Sequence, residues 1–172
     1  MLRDQDQLMQ ISSLRAQLHA LPKVDLHRHL EGSLRLQTLA EIAREHGIDL
    51  PSYDIEYLRP FVTVTGEEPG FHRFLEKFRL LRRFYPTKEA VERVAYEAVA
   101  DAAEDNIKYL ELRFNPIALS RVQGFPLHEV ATWVCGAVDR AQRDFDTHTN
   151  LIVQIGRDED LDIAWQVAEV AV

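Results

Sequence analysis

Three short strand-like runs, each divided from the next by a long helical stretch, constrain this chain more than any other feature. The first is VDLHRHLEG, residues 24–32, where Val24, Leu26, Arg28 and Leu30 alternate with Asp25, His27, His29 and Glu31 up to Gly32. The second is KYLELRFN, residues 108–115, closed by Pro116. The third, LIVQIG at 151–156, is continuously β-rich, as expected of a parallel strand covered on both sides. Strands separated by whole helices predict βα units and a parallel α/β sheet, because parallel neighbours need a crossover connection.

The helical stretches carry their own start and stop signals. Residues 3–20 place Leu8, Ile11, Leu14 and Leu18 on one stripe, which stops at Pro22. After Ser33, a candidate cap, LRLQTLAEIAREHG sets Leu36, Leu39, Ile42 and Ala43 on one face and ends at Gly47. Residues 48–70 hold Pro51, Pro60, Pro69, Gly66 and Gly70 and predict a connecting region with short helical turns. In FHRFLEKFRLLRRF, residues 71–84, Phe71, Phe74, Leu75, Phe78 and Leu81 fall at three- and four-residue spacings. Pro86 breaks that helix, and Thr87 caps a long one from Lys88 to Asn106. A polar loop around Gly124 is expected after the second strand, then a helix over 127–145 opened by Pro126, and a last helix capped near Asp160.

Composition serves mainly to exclude. With 28 acidic against 20 basic residues and a net charge of -8, the chain has no general attraction for nucleic-acid phosphates or anionic lipid, so neither nucleic acid nor a membrane is an expected partner. Arg79, Arg82 and Arg83 cluster, but Glu76, Glu89 and Glu92 flank them, and they read as a solvated helix surface. No run of about eighteen apolar residues and no signal-peptide core is visible, so a soluble, cytoplasmic chain is expected. The single cysteine, Cys135 in VATWVCGAV, excludes a disulfide scaffold and predicts a buried thiol acting as a small hydrophobe.

Chemistry concentrates at the end of the first strand. His27 and His29, one residue apart, point the same way if the strand alternates regularly, and their nitrogens can then converge on one ion. The plainer reading is two histidines satisfied by ordinary hydrogen bonds. A catalytic zinc takes three protein ligands and a water, so at least one further His, Asp or Glu must come from elsewhere. Strand C-termini are where a parallel sheet carries its ligands, and His27 to Gly32 occupies such an end. Glu31 could ligate, orient a ligand, accept from a substrate hydroxyl or cap the following helix; Gly32 permits a turn or a close approach.

The run from Leu21 to Leu34, with Leu39-Ala40-Glu41 and Gly47-Ile48-Asp49-Leu50-Pro51 after it, closely resembles the start of the adenosine deaminase family. So do residues 74–78, FLEKF, and 109–116, YLELRFNP; the likeness runs from about Leu21 to Gly156. The resemblance implies a zinc-dependent hydrolase on a (β/α)8 TIM barrel that replaces the exocyclic amine of a purine nucleoside by oxygen and releases ammonia. His27 and His29 match the first two metal ligands, and Glu31 matches an acidic position that contacts the substrate's sugar hydroxyl, where many members have Asp. Phe74 and Phe78 match apolar residues covering the purine pocket, with core packing as the alternative.

Glu111 and Arg113 share a strand face and read as a structural ion-pair network below the site, while Asn115 either touches the pocket or caps a turn. Gly156, Arg157 and Asp158 at the third strand end are weaker candidates for pocket lining. The family's third His ligand and its catalytic Glu, His and Asp are expected beyond residue 172, since His46, His72, His128 and His148 lie outside that context. Residues 1–172 are thus expected to be the N-terminal portion of one catalytic barrel, a fold of about 250 residues, with 48–86 as an insertion over the pocket. Adenosine, adenine and modified adenosine remain open as substrates. A non-catalytic half-barrel awaiting the C-terminal half, in cis or as a second chain, and a different amidohydrolase using the same first two ligands are the competing readings.

Overall fold

The computed structural model describes residues 2–64 and 71–172, with side chains for 10–64 and 75–172. Gly66, Pro69 and Gly70 lie outside the described residues, as do the side chains of Leu8, Phe71, His72 and Phe74. Three parallel strands, β1 (Lys23–His29), β2 (Ile107–Phe114) and β3 (His148–Val153), form one sheet in the order β1-β2-β3. Two helices make the crossovers that the parallel arrangement demands: α5 (Lys88–Glu104) leads into β2 and α7 (Leu127–Asp144) into β3. Before them come α1 (Leu2–Ala20), α2 (Leu36–His46), α3 (Ile55–Val62) and α4 (Phe71–Leu81); α6 (Pro116–Gln123) precedes α7, and α8 (Leu161–Val170) follows β3.

The core lies on one face of the sheet. Leu110, Leu112 and Phe114 of β2 are fully buried with Val91, Val94, Ala98 and Val99 of α5 and Val130, Val134 and Ala137 of α7. Small alanines on both helices let them approach the sheet and each other closely, and each fully buried large side chain contributes roughly 1.5–3 kcal/mol. Tyr109, Glu111 and Arg113, the alternate residues of β2, are only half-buried on the opposite face. The helices therefore cover one side, and β3, expected to be enclosed on both, has Leu151, Ile152 and Val153 only partly buried.

Local signals explain most element ends. Thr87 Oγ1 accepts from the Ala90 N–H at 3.2 Å to start α5, and Gly47 ends α2 with φ 62°, a conformation open to glycine at little cost. The segment after β2 differs from expectation: it is helical, not a polar loop. Pro116 sits at its first turn, the Asn115 side chain caps it and Gly124 closes it at φ 74°. Cys135 also differs, standing exposed on α7, because the buried stripe of that helix runs through Val130, Val134, Ala137, Val138 and Ala141 and leaves position 135 outside. Ile11, Leu14 and Leu18 of α1 are likewise exposed among the described residues.

Polar contacts tie α2 to α5. Thr38 donates to Glu97 at 2.6 Å, and Arg93 bridges Glu97 at 2.9 Å and Glu41 at 2.7 Å, so α2 is anchored through a charge network around a buried carboxylate. Lys77 of α4 is buried and donates to the Pro60 and Thr63 carbonyls at 2.7 and 2.6 Å, placing a cation at the C-terminal end of α3. These contacts join α2 to α5 and α4 to α3.

Candidate active site

The end of β1 departs from a regular strand in a way that sorts its side chains. Asp25 is opposite Leu110 and Arg28 opposite Leu112, so three residues of β1 span what two span in β2. Regular alternation would put Asp25 beside His27 and His29; the irregularity instead turns Asp25 to Arg28, with which it pairs at 2.8 Å. His27 and His29 stay together, their rings 5.1 Å apart at 65°. His29 lies opposite Arg113 in register, and Arg113 Nη1 stands 2.9 Å from His27 Nε2. Both imidazoles therefore belong to the open face of the sheet, at the C-terminal strand ends.

The electrostatics differ between the two sides of this corner. Partial burial, with help from the nearby Arg113, His27 and Arg82, lowers the pKa of His29 below the usual imidazole value and favours the neutral ring that a metal requires. Phe78 of α4 packs edge-on over His29 with centroids 5.5 Å apart. Arg113 and Glu111 form no ion pair with each other among the described residues; Glu111 accepts from the Tyr109 hydroxyl at 3.1 Å, and Arg113 faces His27 instead. The expected charge pair is thus resolved into two separate contacts, one of them directed at a candidate ligand.

Beyond His29 the chain makes a single 3-10 turn, Leu30–Gly32, which the Ser33 hydroxyl ties back to the His29 carbonyl at 2.7 Å. Ser33 acts there, and Arg35 stands at the start of α2. Gly32 has no positive φ, and a Cβ on it would meet the Phe78 ring at 3.6 Å, an ordinary contact, so backbone geometry does not demand glycine at this point. Glu31 is only 2% exposed. Its Oε1 accepts the Asn115 N–H at 2.9 Å, while its Oε2 is buried without a hydrogen-bond partner among the described residues. Burial raises the pKa of this carboxyl, against the opposing pull of the Asn115 amide.

Asn115 is buried, and its side chain accepts from the Ala118 N–H at 3.0 Å. It is therefore a helix cap whose own amide holds Glu31. Two residues of this corner are not among the sequence candidates for the site, Arg82 reading there as a solvated helix surface. Tyr85, fully buried, donates to the Leu30 carbonyl at 3.0 Å across 55 positions of chain, and Arg82 lies close enough for its charge to act on both His29 and Glu31. Gly156 to Asp158 stand apart from the imidazole pair: the Asp158 carboxylate crowds Gly156, and Glu159 binds Arg121.

A cavity of about 460 Å3 runs past this corner, lined by Asp25 and Arg28 from one side of β1 and by His27, His29 and Phe78 from the other. It follows the edge of β1 that faces away from β2, where Val24 and Leu26 are 66% and 56% exposed. The donor chemistry fits the first part of a zinc shell, with two adjacent imidazoles, one of them shifted toward its neutral form by burial. Among the described residues, no group of three His, Cys, Asp or Glu side chains that could hold a metal is present.

Parallel strands with crossover helices on one side and an imidazole pair at the C-terminal strand ends define part of a metallo-hydrolase-type barrel. The family model described as "Adenosine deaminase" matches residues 22–172, and the chain belongs to that family. It is 39% identical over 137 residues to the adenosine deaminase of Vibrio vulnificus, a match covering 80% of this chain and 41% of that protein. An amidohydrolase from Burkholderia ambifaria, solved with bound zinc, superposes with a TM-score of 0.76 at 30% identity, over 91% of this chain and 42% of that one. The adenine deaminase of Arthrobacter aurescens gives 0.75 at 27% identity, over 87% and 44%. The chain thus spans less than half the length of each of these relatives, in keeping with three strands and a helical insertion from a larger barrel. No described helix is long and apolar enough to cross a membrane.

Proposed function

We propose that residues 1–172 supply the N-terminal βα units of a purine deaminase, and that hydrolysis requires the remaining barrel strands, in cis or from a second chain. The observation that carries this reading is the imidazole pair His27 and His29, side by side on the uncovered face of a parallel sheet whose β1 edge lacks a partner strand among the described residues. In this reading both imidazoles ligate zinc, and the other ligands, with the general acid and base, come from the completing half. Bound zinc supplies a water acidified toward neutral pH.

This chain's own residues then hold and shape the site. Arg113 must release His27 Nε2 or shift to its partner groups when a cation takes that nitrogen, since a lone pair accepts from only one of them. Phe78 beside His29 forms an apolar cover for a purine ring, the role that the family resemblance also gives Phe74. The buried Oε2 of Glu31 is the group left for a substrate hydroxyl, and Asn115 contributes by fixing Glu31. Residues 48–86 act as the pocket cover within a single barrel domain. Substrate is a small purine; adenosine, adenine and an N6-modified adenosine share the chemistry of the exocyclic amine. A cytoplasmic setting accords with this substrate class.

The test is metal content and ammonia release by the longest natural polypeptide containing these residues, compared with this chain alone. The expected result is stoichiometric zinc and turnover in the long form, no turnover by the short one, and loss of most zinc in His27→Ala and His29→Ala. Running adenosine, adenine and an N6-modified adenosine in parallel identifies the substrate. Full zinc retention in both histidine variants would overturn the ligand assignment, and turnover by residues 1–172 alone would overturn the half-barrel reading.

A further inference from the structure

A second cavity, of about 420 Å3, shares no described lining residue with the one beside the imidazole pair, although Arg82 of its wall also acts on His29 and Glu31. Its wall carries Arg79 from α4, Arg82 and Arg83 from the turn after it, Arg121 from α6 and His46 at the end of α2, with no acidic residue among the described lining side chains. In a chain of net charge -8, such a concentration of cations is unusual. The sequence offered Arg79, Arg82 and Arg83 as a helix surface diluted by neighbouring glutamates. Folding engages two of those glutamates elsewhere: Glu89 is held at its own helix start by Thr87, and Glu92 turns to Lys88 and Arg140.

The pairing pattern within the cavity is unequal. Arg121 is engaged by Glu159 through two bonds of 2.7 and 2.6 Å. Arg79, Arg82 and Arg83 form no ion pair with any described residue, although the field of Glu31 reaches Arg82. Arg82 Nε is buried with no hydrogen-bond partner among the described residues. A buried guanidinium donor without an acceptor is destabilising, and three cations brought together repel, so the arrangement stores a demand for negative oxygen. Guanidinium forks match phosphate oxygens bidentately, and the volume is that of a small-molecule site. Ile48, Pro86 and Val122 supply an apolar wall beside the charges.

We propose that this cavity is an anion site that takes the phosphoryl group of a small phosphorylated molecule. It stands independently of the deaminase reading, since every described lining residue belongs to helices and turns of this chain and none of them is a candidate metal ligand.

Calorimetric titration of the full chain with inorganic phosphate, pyrophosphate and adenosine monophosphate, with sulfate as comparator at matched ionic strength, tests it. Saturable binding of a phosphoryl compound is expected, tighter than sulfate and weakened as salt rises. The exposed-residue variants Arg79→Ala and Arg83→Ala should each lower affinity about tenfold, the size of one charge-assisted contact. Arg140→Ala, on another surface, should leave it unchanged. If Arg82→Ala fails to fold, perturbation of arginine side-chain NMR signals in the unaltered chain locates the anion instead. Free phosphate binding as tightly as the monophosphate identifies an inorganic anion as the ligand, and tighter monophosphate binding identifies an organic one. No saturable heat, equal binding of sulfate (an adventitious ion only), or equal loss in Arg140→Ala overturns the proposal.

Discussion

The two faces of β2 sit on the same eight residues and behave as different proteins. Leu110, Leu112 and Phe114 meet α5 and α7 and are wholly buried; Tyr109, Glu111 and Arg113, one position out of phase, carry polar groups and remain half-open. The covered face is finished by this chain's own helices, while the open face gathers the histidines and has no second layer among the described residues. The lesson is that folding and function are divided by side-chain parity: a period of two assigns one set of residues to cohesion and the other to chemistry.

That contrast can be broken by measurement. Phe114→Ala removes a fully buried ring from the covered face and should destabilise by ~3–5 kcal/mol in urea denaturation, the largest effect anticipated here. Tyr85→Phe, at the junction of the two faces, removes one of two donors to the buried Leu30 carbonyl, which keeps the Ser33 N–H at 3.0 Å, and should cost about 0.5–1.5 kcal/mol while loosening the turn after His29. Faster amide exchange at residues 30–32 would report that loosening. Glu111→Gln on the open face should change stability by no more than about 0.5 kcal/mol, because its contact to Tyr109 is half-solvated. If Glu111→Gln proves as costly as Phe114→Ala, the open face is structurally complete and the division fails.

How much of this was legible beforehand follows from the range over which each signal acts. The three strands, the caps at Thr87 and Gly47, and the long helices before β2 and β3 were readable, because each depends on neighbours a few residues away. The helix α6 was missed although Asn115, Pro116 and Gly124 bracket it, since its eight residues are too few for a clear apolar period. The exposure of Cys135 was misjudged because an apolar helical run does not reveal which stripe meets the sheet. Among the candidate site residues, His27 and His29 were brought together as their spacing suggested, but the removal of Asp25 from their side required a register irregularity that no spacing announces.

Sequence alone determined that this chain makes parallel βα units and that two imidazoles end the first strand, because strand period, helix period and capping are local properties of the backbone. Tertiary structure decided what each polar group does. It buried Glu31 against the Asn115 amide, turned Arg113 from Glu111 to His27, placed Tyr85 under Leu30 and brought Arg121 of α6 beside the arginines at the end of α4 around one cavity. The physical reason is that hydrogen bonds and fields act across space between residues 55 or 84 positions apart, and only the packing of the helices on the sheet sets those distances.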